Sequence, residues 1–294
     1  VFYDLNYSGN GMKIAEVIDK SPLINSKGKV KSGVIIEKID GVDISANSNY
    51  FGLLNRKAGK LVSIEFFNPA NGERWAESVK PINRWDESEL IYKSWIKKRN
   101  DEVERLSDGK IGYVHVRGMN SQSFREVYSD LLGKHRGKEA IIVDTRFNGG
   151  GWLHDDLATL LNGKKYVDFT PRGQHIGAEP IAKWYKPSVV LVGEGNYSDA
   201  HGFPYVYKTL KIGKLVGMPV PGTMTAVWWE TQVDPTLVFG IPQMGVRDLN
   251  GKYLENQQLN PDIQVQIKPE DAATGIDTQI RAAVEELIKQ LQAK

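Results

Sequence analysis

The sequence contains no cysteine. Disulfides, zinc–thiolate sites and a thiol nucleophile are therefore excluded. It has no apolar run approaching the roughly 18 residues that span a bilayer, so no membrane span is expected. Charge of one sign is not in excess either: 38 basic residues face 36 acidic ones, a net +2. That balance gives no reason to expect nucleic acid or an anionic membrane as partner. H-E-x-x-H, G-x-G-x-x-G, the Gly-Lys-Ser/Thr of a phosphate loop and the G-x-S-x-G elbow are all missing, and no motif calls for a metal or a cofactor. The chain opens Val1-Phe2-Tyr3, without an initiator Met or a signal-peptide pattern, which reads as a fragment or a processed product. A thiol-free chain tolerates an oxidising compartment, so export to a periplasm is favoured over the cytoplasm.

What is present is ordinary for a soluble globular protein: 40% apolar and 25% charged residues in a chain of 294, enough for two domains at roughly 150 residues each. Residues 1–82 read as a small β-rich domain. Short alternating apolar runs occur at 12–18, 34–39 and 61–67, and Asn68-Pro69-Ala70-Asn71-Gly72 makes a turn before another at 75–79. One helix is expected there, at 49–57, closed by Gly59. Residues 83–109 read as a helical linker. Asp86 and Glu89 have capping-box spacing, Ile91, Trp95 and Leu106 share a face, and Ser107-Asp108-Gly109 stops the helix. From 110 to 294 strands alternate with helices: strands at 111–116, 140–144 and 189–192, helices at 123–134, 152–161 and 200–210. This pattern predicts an α/β core, a mixed sheet with helical crossovers. An amphipathic helix at 277–292, with Ile280, Val284, Leu287 and Leu291 on one stripe, ends it.

In open α/β sheets ligands bind at the carboxyl ends of strands. Two strand-to-helix turns stand out. The first is Thr145-Arg146-Phe147-Asn148-Gly149-Gly150-Gly151. Its glycines suit a tight turn with no room for side chains, or an oxyanion hole in which a backbone N–H closely approaches a reacting carbonyl. The second runs from Gly193 to Gly202 through Ser198-Asp199-Ala200-His201. Pro204 is tolerated only in a first helical turn, so the helix begins near Ala200. Ser198 is then either a plain N-cap or a hydroxyl in the positive field of a helix start, with the Asp199 N–H aimed at any oxyanion formed beside it.

The order of motifs narrows this choice. Ser21-Pro22 and Gly33-Val34-Ile35-Ile36-Glu37-Lys38-Ile39-Asp40-Gly41 resemble a protease-type PDZ domain. Ile111-Gly112-Tyr113-Val114-His115-Val116 resembles the opening strand of the tricorn and C-terminal-processing serine peptidases, and Asp144 to Gly151 resembles that family's glycine motif. Ser198-Asp199-Ala200-His201-Gly202-Phe203 is similar to the tricorn nucleophile pattern S-D-G-D-x-F, with Ala200 and His201 in place of Gly and Asp. Leu254-Glu255-Asn256 and Asn260-Pro261-Asp262-Ile263 resemble its E-N…P-D segment. The resemblance is collinear over nearly the whole chain. It implies a crotonase-like core in which Ser198 attacks a peptide carbonyl, the amides of Asp199 and of a glycine (Gly151, with Gly150 beside it) hold the oxyanion, and Glu255 orients the base. It also implies that the stretch from 223 to 229, including Thr223, Met224 and Thr225, lies along the substrate backbone, and that Asp168 falls near an acidic pocket position. The substrate is then a peptide or unfolded protein, and homo-oligomers are known among such relatives.

A serine hydroxyl needs a base. In the tricorn branch a His and a helper Ser come from a helical domain upstream of the PDZ, for which this chain has no counterpart; in the other branch a Lys serves. Lys208 falls on the far side of its helix. Of the five histidines, His115 and His135 read as structural or solvated, and His154, with Asp155 and Asp156, as a solvated helix face rather than a metal site. His175 lies in a loop. His201, three residues beyond Ser198, is a possible base. Two other readings stay open: a catalytically degenerate PDZ-type peptide binder, suggested by Ala200 and His201, and an acyl-CoA enzyme of the crotonase type.

Overall fold

A computed structural model of the chain describes residues 1–25, 28–46 and 48–293. The chain divides into two compact units, Val1–Lys98 and Arg99–Lys294. The division falls inside one helix, α1 (Arg84–Leu106), so the segment read from sequence as a separate linker at 83–109 is shared between the units. Asn83, not Asp86, caps it: the Asp86 amide donates to Asn83 Oδ1 at 2.9 Å.

The first unit is an antiparallel sheet. β1 (Phe2–Tyr3), β2 (Met12–Glu16), β3 (Ile35–Ile39), β5 (Val62–Asn68) and β6 (Glu73–Val79) follow in that order, with β4 (Val42–Asp43) pairing β3. Alternation does the sorting. Ile14, Ile36, Ile39, Ile64 and Phe66 point into one apolar cluster, and Trp75 of β6 stacks on Phe66 with centroids 5.3 Å apart. The helix expected at 49–57 is only a 3₁₀ turn, Tyr50–Leu54, with no side-chain cap and no buried residue. Gly52 in its middle weakens an α-helix, and no buried face compensates.

In the second unit β7 (Ile111–His115), β8 (Ala140–Asp144), β11 (Ser188–Val192), β12 (Lys214–Gly217) and β15 (Ile263–Gln264) form one sheet in which spatial order follows chain order. Every pairing in it is parallel, whereas the sequence suggested a mixed sheet. Among the described residues its antiparallel strand pairs lie in two ribbons outside the sheet, β9 (Val167–Phe169) with β10 (Gly177–Glu179), and β13 (Ala226–Thr231) with β14 (Val238–Met244), with isolated antiparallel bridges at Val220–Leu259 and Arg247–Tyr253. The central strands β8 and β11 are buried at every position, as strands covered on both faces must be. The covering helices are α2 (Ser121–Ser129, continued by a π turn, Asp130–Lys134), α3 (His154–Leu161), α4 (Asp199–Thr209) and α6 (Thr278–Gln292), with the short α5 (Pro269–Ala273) before the last. Asn120 caps α2 and Asp277 caps α6, accepting from Ser123 N at 2.9 Å and Ile280 N at 3.1 Å.

Below the carboxyl end of β8 lies a buried ionic cluster. Arg146 Nε and Nη2 hold the Asp144 carboxylate at 2.6–3.1 Å, and Nη1 donates to Asp277 Oδ1 at 3.1 Å and Gln279 Oε1 at 2.8 Å. Tyr113 Oη donates to Asp144 at 2.8 Å. Burial alone would raise the Asp144 pKa, but the adjacent guanidinium holds it below the usual carboxylate range.

His135, read from sequence as structural or solvated, is structural: it is 2% exposed, with neither ring nitrogen hydrogen-bonded. Burial, then Lys134 and Lys138, push its pKa from 6.5 down to about 4. The unfolded chain therefore binds a proton near pH 6.5 that the folded chain refuses until about pH 4. Stability is expected to fall as pH drops through that window, by on the order of 3 kcal/mol in all, and to lose nothing further from this group below it. Denaturant melts across the window check this, and His135→Phe should remove that part of the slope.

Candidate active site

Both unusual turns sit at the carboxyl ends of the two central strands, and paired asparagines fold them. Asn148, fully buried, donates from Nδ2 to Val116 O at 2.7 Å and accepts from the Gly150 amide at 2.8 Å. Its carbonyl takes the Tyr197 amide at 3.0 Å, which draws the second turn onto the first. Asn196 does the same job there: Nδ2 donates to Thr145 Oγ1 at 2.9 Å and Ala200 O at 3.0 Å, and Oδ1 accepts from Gly193 N at 3.1 Å. Neither asparagine was singled out from sequence. Their positions two residues before Gly150 and Ser198 were the available signal, since Asn side chains mimic turn backbone.

Ser198 precedes α4 with φ 55° and ψ −121°, and its side chain makes no cap hydrogen bond. A plain N-cap has extended backbone and spends its hydroxyl on the helix. Ser198 does neither, so the cap reading fails. A non-glycine residue held at such a φ costs on the order of 1–3 kcal/mol, which the surrounding turn must impose. The Ser198 amide is fixed by donation to Thr223 Oγ1 at 3.0 Å.

The glycine loop lies directly against this turn. A Cβ on Gly150 (φ 94°) would sit 2.7 Å from Ser198 Cβ, 2.8 Å from Tyr197 O and 3.1 Å from Asp199 N. Gly151 (φ 139°) is pressed against the Met119 carbonyl instead. Among the described residues the amides of Gly151 and Asp199 donate to no acceptor, whereas that of Gly150 is spent on Asn148. The Gly151 amide, next in chain to the glycine that packs on Ser198, and the Asp199 amide, next in chain to Ser198 itself, are thus both unspent.

The Asp199 side chain faces away from that space. It is 3% exposed and accepts from Leu153 N at 2.5 Å, His154 N at 3.1 Å and His154 Nδ1 at 2.5 Å. His154 is therefore not the solvated residue that its Asp155 and Asp156 neighbours suggested; the Asp199 hydrogen bond, above all, raises its pKa.

Glu255 reaches the same region through the segment 223–225. Its Oε2 accepts from Met224 N at 2.8 Å and Thr225 N at 2.7 Å, one residue beyond the Thr223 hydroxyl that holds Ser198. Burial works to raise the Glu255 pKa, but hydrogen bonds from Thr225 and Met224, and the nearby His201, bring it below the usual value. His201 is 1% exposed, its Nδ1 has no hydrogen-bond partner, and burial lowers its pKa against the opposing pull of Glu255. No hydrogen bond joins its ring to Ser198, so the structure gives no support to His201 as the base. Thr223, Met224 and Thr225 lead into β13, which takes up the 223–229 stretch from Ala226 onward.

Asp168 is not drawn into this cluster. It lies in β9 and pairs with Lys165 at 2.6 Å and His175 at 3.1 Å. Three side chains absent from the sequence-based site stand exposed beside the turns: Phe147, Trp152 and Tyr197, at 73, 66 and 59%. Large exposed aromatics grouped on one surface mark a place that takes apolar groups.

Comparison with known proteins agrees with this geometry. The model for peptidase family S41 matches residues 110–265, the segment that carries Gly150, Gly151, Ser198, Asp199 and Glu255. The tricorn protease of Thermoplasma acidophilum is 29% identical over 99% of this chain, which covers 26% of that protein. The tricorn protease homolog of Saccharolobus solfataricus is 30% identical over 93% of this chain, which covers 25% of it. A crystal structure of the tricorn protease aligns with a TM-score of 0.85 at 26% identity, over 99% of this chain and 29% of that one. The chain thus spans little more than a quarter of the length of these relatives.

The close approach at Gly150 is testable by itself. Gly150→Ala adds the strain of a positive φ, about 1–2 kcal/mol, to a collision with backbone atoms of the second turn. It is expected to destabilise the protein by about 2 kcal/mol or more in chemical denaturation. Gly149→Ala, whose Cβ would meet nothing within 4 Å, should leave the midpoint unchanged.

Proposed function

The chain belongs to peptidase family S41, and from that premise we propose that it is a serine peptidase core that cleaves peptide bonds through an acyl-enzyme on Ser198. The observation that carries this reading is the strained Ser198 backbone, which leaves the hydroxyl free of the helix while the amides of Asp199 and Gly151 are unspent. In the proposed reaction Ser198 Oγ adds to the scissile carbonyl, and the oxyanion is held by the N–H groups of Asp199 and Gly151. Gly150 supplies closeness rather than a donor. Each such donor is worth about 2.7–4 kcal/mol at the transition state. Collapse of the adduct expels the amine and leaves the acyl group on Ser198, from which water then releases it.

The general base in this scheme is a histidine from a segment preceding these residues, oriented by Glu255. Support comes from the ionised Glu255 carboxylate, fixed by two amides next to the nucleophile, and from the lack of any histidine bonded to Ser198 among the described residues. The substrate is a peptide or an unfolded protein. Its apolar side chains would meet Phe147, Trp152 and Tyr197, its backbone would run beside residues 223–225, and the first unit, as a PDZ-like module, would gather extended chain.

In the full-length natural protein, Ser198→Ala is expected to reduce peptide cleavage by roughly six orders of magnitude, to background. Mass spectrometry after treatment with a peptidyl phosphonate should place the adduct on Ser198. Cleavage by the alanine variant at the parent rate would end this reading.

A further inference from the structure

A buried carboxylate is costly unless hydrogen-bonded or matched by charge. Among the described residues the Asp199 carboxylate has no lysine or arginine partner; its one ion pair is with His154. Two of its three hydrogen bonds come from backbone amides at Leu153 and His154 and would survive replacement of any side chain there. The third, from His154 Nδ1 at 2.5 Å, depends on the imidazole. The His154 side chain is 21% exposed, and Trp152 meets its ring edge-on with centroids 5.3 Å apart, which fixes the ring plane.

The location gives the contact its meaning. His154 follows Gly151 by three residues, and Asp199 carries the second free amide. The imidazole therefore ties the loop bearing one donor to the residue bearing the other, by a path independent of the Asn148 link between the same turns. Asp155 and Asp156 add negative field on the same helix and favour the protonated ring. A neutral ring with its proton on Nδ1 still donates, less strongly than the imidazolium, so the tie persists on both sides of the titration.

We propose that His154 is a positioning residue that sets the separation of the Gly151 and Asp199 amides through its hydrogen bond to the Asp199 carboxylate. The role rests on the reading of Ser198 as nucleophile. It predicts an effect on the chemical step and not on substrate affinity, because both amides meet the developing oxyanion and not the ground-state substrate.

The test uses two replacements in the full-length protein. His154→Leu removes the donor; His154→Asn places an amide N–H close to where Nδ1 stood. His154→Leu should lower kcat by about 10²-fold, the scale of a misplacement of about 1 Å, with KM unchanged. His154→Asn should recover kcat to within about threefold of the parent. A leucine variant as active as the parent, two variants equally impaired, or a loss confined to KM would each overturn the proposal. Ser198→Ala, run alongside, reports separately on the nucleophile. Hydrogen exchange needs no turnover and decides the matter even if that reading fails. Segments covering 149–154 and 196–201 should exchange faster in His154→Leu and at the parent rate in His154→Asn. Unchanged exchange in His154→Leu overturns the proposal whatever the activity.

Discussion

The second unit depends on one buried cation. Arg146 is 3% exposed, and a guanidinium so placed must find acceptors for all five of its N–H groups. Asp144 accepts from Nε and Nη2, Asp277 and Gln279 accept from Nη1, and Asp277 Oδ2 adds an ion pair with Nη2 at 3.0 Å. Those acceptors belong to the end of β8 and the start of α6, segments more than a hundred residues apart in sequence, and Tyr113 of β7 joins through Asp144. Removing Asp144 would take away the carboxylate that holds the guanidinium at both Nε and Nη2, and breaking a buried pair in this way is strongly destabilising. The cluster therefore fixes the point at which the chain leaves the sheet, and the glycine loop starts at the next residue.

Above that anchor the polarity changes in kind. Asn148 and Asn196 are both buried and both satisfied, by backbone groups and the Thr145 hydroxyl. Beside the Asp199–His154 contact, the links they add between the turns are therefore neutral hydrogen bonds. Such bonds hold geometry without placing a competing charge beside a reacting group. The backbone strain at Ser198 is sustained by the same lattice, because Tyr197 is held by the Asn148 carbonyl and Ser198 by Thr223. Strain of this sort persists only where its surroundings over-determine it.

Periodicity made much of this legible, because the strongest elements carry the strongest patterns. Ile141-Ile142-Val143 and Val189-Val190-Leu191-Val192 are continuous apolar runs because both faces are covered, whereas Pro204, expected in the first turn of its helix, lies inside α4, which begins at Asp199. The three-residue β9 and β10 and the two-residue β15 escaped notice because short segments show no period. The parallel sense of the whole sheet was hidden in β12 and β15 for the same reason. The position of Ser198 could be read, but its φ could not, since the turn that imposes it is built from residues 148 and 223. His154 looked solvated because Asp155 and Asp156 follow it, and its true partner lies 45 residues away. Asp168 was placed by analogy of position alone, and its pairing with Lys165 and His175 had no signal in the sequence pattern.

The simple strand order has a consequence for how such a protein can change over time. Because spatial order follows chain order, each crossover joins neighbouring strands, and the two ribbons are excursions between them: β9–β10 before β11, and β13–β14 before β15. Neither ribbon contributes a rung to the central sheet. Each can lengthen, shorten or be exchanged for an unrelated sequence while the register of the sheet, and with it the pairing of the two turns, is preserved. Descendants of one scaffold can then diverge in what they grip while inheriting an unaltered reaction centre.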